Sequence, residues 1–226
     1  HAMEFETIET YMTFDELGGI KEILPRTRND AHKLIEECML LANVAAAEYS
    51  LEHDIPMLYR VHEAPEFSRI QKVRDFVKLL GLPFPEQPTQ ADYQRVIEAT
   101  KDRLDAPSIH AVLLRSMMQA YYGANNAGHY GLAYEAYTHF TSPIRRYPDL
   151  LLHRAIKAYL DKKAYPLSGA ALDDAGEHFS QTERRADEAS RSVTTWLKCH
   201  YMQQHLGDEF VGIISAVTEF GLFVTL

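Results

Sequence analysis

Hydrophobic and polar positions alternate loosely at both ends of the chain, and the stretch between carries helical spacings. Residues 4–14 alternate, Asp15-Glu16-Leu17-Gly18-Gly19 is a turn signal, and Ile20–Leu24 can return as a second strand, so a β-hairpin ended by Pro25 is predicted. Asn29 or Asp30 can cap the next helix. From Leu34 to Tyr49 apolar residues occupy nearly every face, which predicts a helix buried on most sides. Glu36, Glu37 and Asn43 interrupt it. The two carboxylates suit the positive end of the helix dipole if they lie in the first turns, since an unpaired buried charge is costly. Ile55–His62 reads as a short strand. Pro65 opens a helix to about Leu80, ended by Gly81, Pro83 and Pro85. Thr89 and Pro107 start two more helices, the second running through Met117 and Met118, with methionine as core filler. Residues 123–131, rich in Asn and Gly, read as a loop. Pro148 begins a helix that ends near Asp161.

The longest periodic stretch follows. Leu172, Ala175, Phe179, Thr182, Ala186, Ala189, Val193, Trp196 and His200 recur at three- and four-residue steps. They predict a helix over about 169–205, roughly 50 Å long, lying on the outside of the domain along one apolar seam and stopped by Gly207. Phe210–Val217 and Leu222–Leu226 are strand-like, with Gly221 at the bend. Two strands bury no face by themselves, so they read as the opening of a domain cut short. The expected fold class is mainly α with minor β (α+β).

Composition narrows the class without naming a function. The 226 residues are 46% hydrophobic and 24% charged, as in an ordinary globular protein. No apolar run approaches the roughly 20 residues of a bilayer-spanning helix, a secretory signal is missing, and no membrane partner is expected. The opening His-Ala-Met reads as a cloning scar over residues 1–3. Cys38 and Cys199 lie far apart in apolar, helical surroundings, which suggests buried thiols in a reducing cytoplasm. The net charge of −9 argues against a broad nucleic-acid-binding face. The charge is uneven, however. Residues 1–140 hold 13 Lys and Arg against 21 Asp and Glu, whereas residues 141–206 hold 10 against 8. An anion site is therefore expected to be local and to lie in the second segment.

That segment contains Tyr137-Thr-His-Phe-Thr-Ser-Pro-Ile-Arg-Arg-Tyr-Pro-Asp149. Pro143 and Pro148 restrict the loop between them and leave Arg145 and Arg146 little backbone freedom. Thr141 and Ser142 offer hydroxyls, while Tyr137, His139, Phe140 and Tyr147 offer flat rings. A stiff loop presenting guanidinium groups among rings suits a phosphodiester, because the donor fork grips phosphate oxygens and rings stack on bases. The plainer alternative is that Arg145 or Arg146 pairs with Asp149 and the rings belong to the core. His153, four residues after Asp149 on one helix face, is expected to pair with it.

The same residues carry a family resemblance. Thr141-Ser-Pro-Ile-Arg-Arg-Tyr-Pro-Asp149 followed by His153-Arg154 resembles the signature of the ribonuclease II and ribonuclease R exoribonucleases, in the C-terminal half of their catalytic RNB domain, with details nearer the ribonuclease R branch. Residues 28–43 resemble the family's E-x-M-x-x-A-N helix, and Leu58-Tyr-Arg-Val-His62 its R-x-H strand. Glu183-Arg-Arg-Ala-Asp-Glu188 with Trp196-Leu197 resembles its last long helix. Gly212–Val224 resembles the opening strands of an S1 RNA-binding barrel. The layout implied is residues 4–206 as the C-terminal portion of the catalytic domain and 207–226 as the truncated start of the S1 domain.

The resemblance implies hydrolysis of single-stranded RNA from the 3′ end to nucleoside 5′-monophosphates, with Mg²⁺ held by clustered aspartates. An arginine of the proline-bounded loop would assist the transition state, Arg145 in preference to Arg146. Glu37, with Glu36 as the fallback, would read the ribose hydroxyl, and Tyr137, His139, Thr141, Ser142 and Tyr147 would line the RNA path. The family's D-x-x-x-x-x-D-x-D-D cluster has no counterpart in this chain. Asp173-Asp174 reads as a helix-start pair, so no metal ligands are expected here, and the chain alone should not hydrolyse RNA. The missing N-terminal half of the catalytic domain would be its natural partner, and without it self-association is expected. The rival reading is a non-catalytic helical module that binds RNA or docks a protein.

Overall fold

The computed structural model describes Met3, residues 10–165 and residues 167–225. His1, Ala2, residues 4–9, Pro166 and Leu226 lie outside the described residues, among them parts of the expected scar (1–3) and of the strands expected over 4–14 and 222–226. The chain divides into two compact units. One is built from Arg28–Pro65 and Met118–Asp187, the other from Met3–Thr27, Glu66–Met117 and Glu188–Leu226.

The first unit begins with helix α1 (Asp30–Glu52), started by Asn29, whose side chain accepts the main-chain N–H of His32. Strands β3 (Tyr59–Val61) and β4 (Tyr121–Gly123) pair antiparallel, Arg60 opposite Tyr122. The other edge of β3 takes a bridge from Tyr59 to Thr138, and the Arg60 N–H donates to the Tyr137 carbonyl at 2.8 Å. The strand period of two then divides the core. Met57, Tyr59 and Val61 pack with Ala46, Ala47 and Leu152 on one side. Leu58 packs with Tyr122, Leu151 and Leu172 on the other. Helix α5 (Tyr147–Leu160) places Leu151 and Leu152 into both clusters, and helix α6 (Ala170–Met202) enters through Leu172. Gly176 and Ser180 of α6 sit against the β4 main chain, where the Tyr122 N–H donates to Ser180 Oγ at 2.9 Å.

The second unit contains the hairpin β1 (Thr10–Phe14) and β2 (Ile20–Pro25). Asp15 Oδ1 closes its turn by accepting the N–H groups of Leu17 and Gly19, and Gly18 there has φ +81°. Helices α2 (Phe67–Leu79), α3 (Gln90–Thr100) and α4 (Ala106–Ser116) bury Val73, Val77, Tyr93, Val96, Ile109 and Leu113. Thr89 and Asp92 form the capping box of α3. Strands β5 (Ile213–Thr218) and β6 (Gly221–Thr225) form a hairpin whose Ile214, Val217, Leu222 and Val224 are exposed.

Several sequence expectations are corrected. The strand expected over Ile55–His62 is confined to Tyr59–Val61, and α4 stops at Ser116 because Met117 turns to extended backbone. Helix α1 is buried only in its second half, through Asn43, Ala46, Ala47 and Ser50. Leu34, Ile35 and Leu41 are 64%, 59% and 66% exposed. Glu36 and Glu37 lie beyond the first turn, outside the reach of the helix dipole, and are solvated. Both cysteines are exposed thiols. The seam of α6 is buried at Leu172, Gly176 and Ser180, but Val193 and Trp196 face solvent.

Candidate functional site

The proline-bounded turn grows from the edge of the β3 sheet. After Tyr137 and Thr138 the chain leaves the ladder, and its next amides are taken up by side chains. Asn43 Oδ1, from α1, accepts the N–H groups of Phe140 at 2.9 Å and Thr141 at 3.2 Å, while Asn43 Nδ2 donates to the Tyr137 hydroxyl at 2.9 Å. Asp149 Oδ1 accepts the Ser142 N–H at 2.8 Å and a guanidinium N–H of Arg146 at 2.9 Å. The Ser142 carbonyl accepts the N–H groups of Arg145 and Arg146, which closes the turn. Arg146 is the N-cap of α5, and Pro148 occupies its first turn, where a missing N–H is harmless.

The two arginines are treated differently. Arg146 is 19% exposed and paired with the fully buried Asp149. Arg145 is exposed, and no partner for its guanidinium is found among the described residues. Three buried polar atoms nearby in the chain have no partner among the described residues: Thr141 Oγ1, Arg146 Nε and Asp149 Oδ2.

The rings mostly pack inward. Tyr137 and Ser142 are buried, and Phe140 stacks on His153 with centroids 4.0 Å apart. His139 Nδ1 is 2.8 Å from the Tyr122 hydroxyl. Burial, reinforced by Arg146, Arg60, His129 and Arg145, pushes the His139 pKa down to about 2, so the ring is neutral. Burial pushes the Tyr122 hydroxyl up to about 12. Arg60 lies 4.6 Å above the Tyr122 ring and donates to Glu183 at 2.6 Å. Tyr147 is the ring at the surface, 50% exposed and resting on Phe179. Glu37 is exposed, whereas Glu36 is engaged by Arg28. The expected Asp149–His153 pair does not form. Asp149 turns to Ser142 and Arg146, and His153 Nε2 lies 2.8 Å from the Phe140 carbonyl.

The structure therefore joins Tyr137, His139, Thr141, Ser142, Arg145, Arg146 and Tyr147 in one turn and its supports, with Glu37 on the exposed part of α1. Asn43, Arg60, Tyr122 and Glu183 join this arrangement without a local sequence signal for their roles. Arg60 and Glu183 lie within the quoted motifs, but their pairing spans 123 residues and no local spacing reveals it. Among the described residues no three His, Cys, Asp or Glu side chains converge as metal ligands would. Nor is any described helix long and apolar enough to cross a membrane.

Comparison with known proteins adds the decisive observation. The RNB domain matches residues 1–162, most of the chain. The chain belongs to the RNB domain family. Among RNB relatives, ribonuclease R of Vibrio parahaemolyticus is 50% identical over 239 residues, covering 100% of this chain and 29% of the relative. The chain thus spans less than a third of the length of that relative. The structure of Mycoplasma genitalium RNase R in complex with ribose methylated single-stranded RNA superposes with a TM-score of 0.89 at 27% identity, over 99% of this chain and 36% of that one. Yeast Ssd1, a pseudonuclease, matches 68% of this chain and 20% of its own, with a TM-score of 0.60 at 27% identity. The RNB fold is thus found in a ribonuclease and in a pseudonuclease.

Proposed function

We propose that this chain is part of a hydrolytic 3′-to-5′ exoribonuclease that degrades single-stranded RNA to nucleoside 5′-monophosphates, and that it supplies the wall of the site that holds the phosphate. The carrying observation is the asymmetry of the two arginines. Arg146 is committed to Asp149, and Arg145, without a partner among the described residues, stands exposed on a turn stiffened by Pro143 and fixed hydrogen bonds. A guanidinium held there can grip phosphate oxygens as negative charge builds on them. The neutral His139 beside it and the Glu183 carboxylate that balances Arg60 leave Arg145 as the uncompensated positive charge of the turn. Tyr147 offers a ring for a base and Glu37 a carboxylate able to accept a ribose 2′-hydroxyl, while the Thr141 hydroxyl lies buried beneath the turn. Tyr137, His139 and Ser142 act from behind by shaping the turn. Magnesium, held by parts of the longer protein outside these residues, would activate water when bound. The β5–β6 hairpin opens an S1-type barrel assigned to 207–226, and the exposed thiols suit a reducing cytoplasm.

In the longer protein, Arg145→Ala should lower turnover of single-stranded RNA about 100-fold while changing RNA affinity little, since a contact made in the transition state acts on rate. Release of nucleoside 5′-monophosphate under saturating RNA measures it, and wild-type turnover by the variant would overturn the role. Glu37→Ala should reduce the preference for RNA over DNA of the same sequence about 10-fold, read as the ratio of kcat/KM values. An unchanged ratio would remove Glu37 from the ribose contact.

The second reading, a non-catalytic module that binds RNA or docks a protein, is favoured by the likeness to a pseudonuclease. A longer protein that binds single-stranded RNA in a salt-dependent way but releases no nucleotide with magnesium present would decide for it.

A further inference from the structure

We propose that Asn43 and Asp149 are the positioning residues of the arginine turn, setting Arg145 through the main chain without touching RNA. The proposal rests on the reading of Arg145 as the phosphate-holding group and deepens it.

Three consecutive N–H groups, those of Phe140, Thr141 and Ser142, donate to two side-chain oxygens instead of to a strand. Both acceptors are buried, Asn43 at 2% and Asp149 at 0% exposure. The orientation of the Asn43 amide is fixed by chemistry. Main-chain N–H groups only donate, so the oxygen must face Phe140 and Thr141, and the amide nitrogen must then face the Tyr137 hydroxyl. One side chain of α1 thereby ties down a segment nearly a hundred residues further along the chain. Asp149 performs two tasks with one oxygen. It receives the Ser142 N–H, which sets the start of the turn, and it engages the Arg146 guanidinium. A buried carboxylate is tolerated only when its charge is met, so Arg146 is held as its counter-ion and Arg145 is left for a ligand. Pro143 and the Ser142 carbonyl carry this constraint to Arg145.

The test has a structural and a kinetic arm. In this 226-residue chain the amide hydrogens of Phe140, Thr141 and Ser142 should be protected from exchange. Asn43→Leu should speed exchange at Phe140 and Thr141 at least 10-fold. In the longer protein the same variant should lower kcat about 10-fold per folded molecule with KM for RNA within about twofold. A residue that acts through Arg145 has nothing to add once Arg145 is gone. Asn43→Leu combined with Arg145→Ala should therefore be no slower than Arg145→Ala alone. Asn43→Ser, too short to reach both amides, is read in the same way should the leucine variant fail to fold. Unprotected amides in the unaltered chain, an unchanged kcat in both Asn43 variants, or losses that multiply in the double variant would each overturn the proposal. Normal turnover by Arg145→Ala would instead remove the reading beneath it.

Discussion

Acidification from pH 7 to pH 4.5 should destabilise the protein by roughly 5 kcal/mol through two histidines alone. Burial pushes His139 down to about 2 and His129 down to about 3, with neighbouring arginines and, for His129, the positive form of His62 acting in the same direction. In the unfolded chain both return to about 6.5, so below that pH the unfolded state takes up protons that the folded state refuses. Each ring then removes about 1.4 kcal/mol of stability per pH unit until its folded value is reached. The loss thus runs from about pH 6.5 down to about pH 3 for His129 and about pH 2 for His139. Hydrogen bonding supports the neutral form of His129 independently. Its Nδ1 accepts the Leu132 N–H, which a protonated nitrogen could not do. Urea unfolding at pH 7, 6, 5 and 4.5 measures the slope, and His139→Gln should make it shallower by about 1.4 kcal/mol per unit. A variant with the unaltered slope would show that His139 titrates normally in the folded protein.

Gly176→Ala should cost about 3 kcal/mol, although alanine is the better helix former by about 1 kcal/mol. A Cβ at Gly176 would lie 2.7 Å from the Tyr122 carbonyl oxygen and 3.1 Å from a Leu58 methyl. The carbonyl is main chain in β4, so relief requires α6 and the strand to part. Ser180 would lose its hold on the Tyr122 N–H in the same movement. The Tyr122 ring, which meets both Arg60 and His139, would shift with its backbone. The urea midpoint reads the loss, with Ser190→Ala on the exposed side of α6 as the neutral comparison. Equal midpoints for the two variants would mean that the close approach is relieved at no expense.

The helices were legible where their signals are local. Asn29 and Thr89 cap as their types suggest, and Pro148 marks the start of α5 to within a residue. Strand β4 was missed because its three residues carry no alternation to read, and their partners lie some sixty residues earlier. The apolar run at Met117 and Met118 overstated α4, since hydrophobicity continues past the point where the backbone turns. Likewise the composition of α1 announced burial that Leu34, Ile35 and Leu41 do not have, because a sequence records what is apolar and not what covers it. In the site, the two prolines and two arginines were visible as a stiff cationic turn. Which arginine is occupied was not, because Asp149 could have turned to Arg145, Arg146 or His153, and only the Ser142 amide fixes its direction. Asn43 was legible as a polar interruption, but its task depends on a segment nearly a hundred residues away.

Cys38 sits one helical turn from both Leu34 and Leu41, on the uncovered stretch of α1. Greasy contact between two such stretches would bring a pair of sulfhydryls together, and air would then weld the encounter into a covalent dimer. Preparations of this polypeptide stored without dithiothreitol should accordingly show a doubled band on a non-reducing gel, which Cys38→Ser should abolish and Cys199→Ser, at the other exposed thiol, should leave in place.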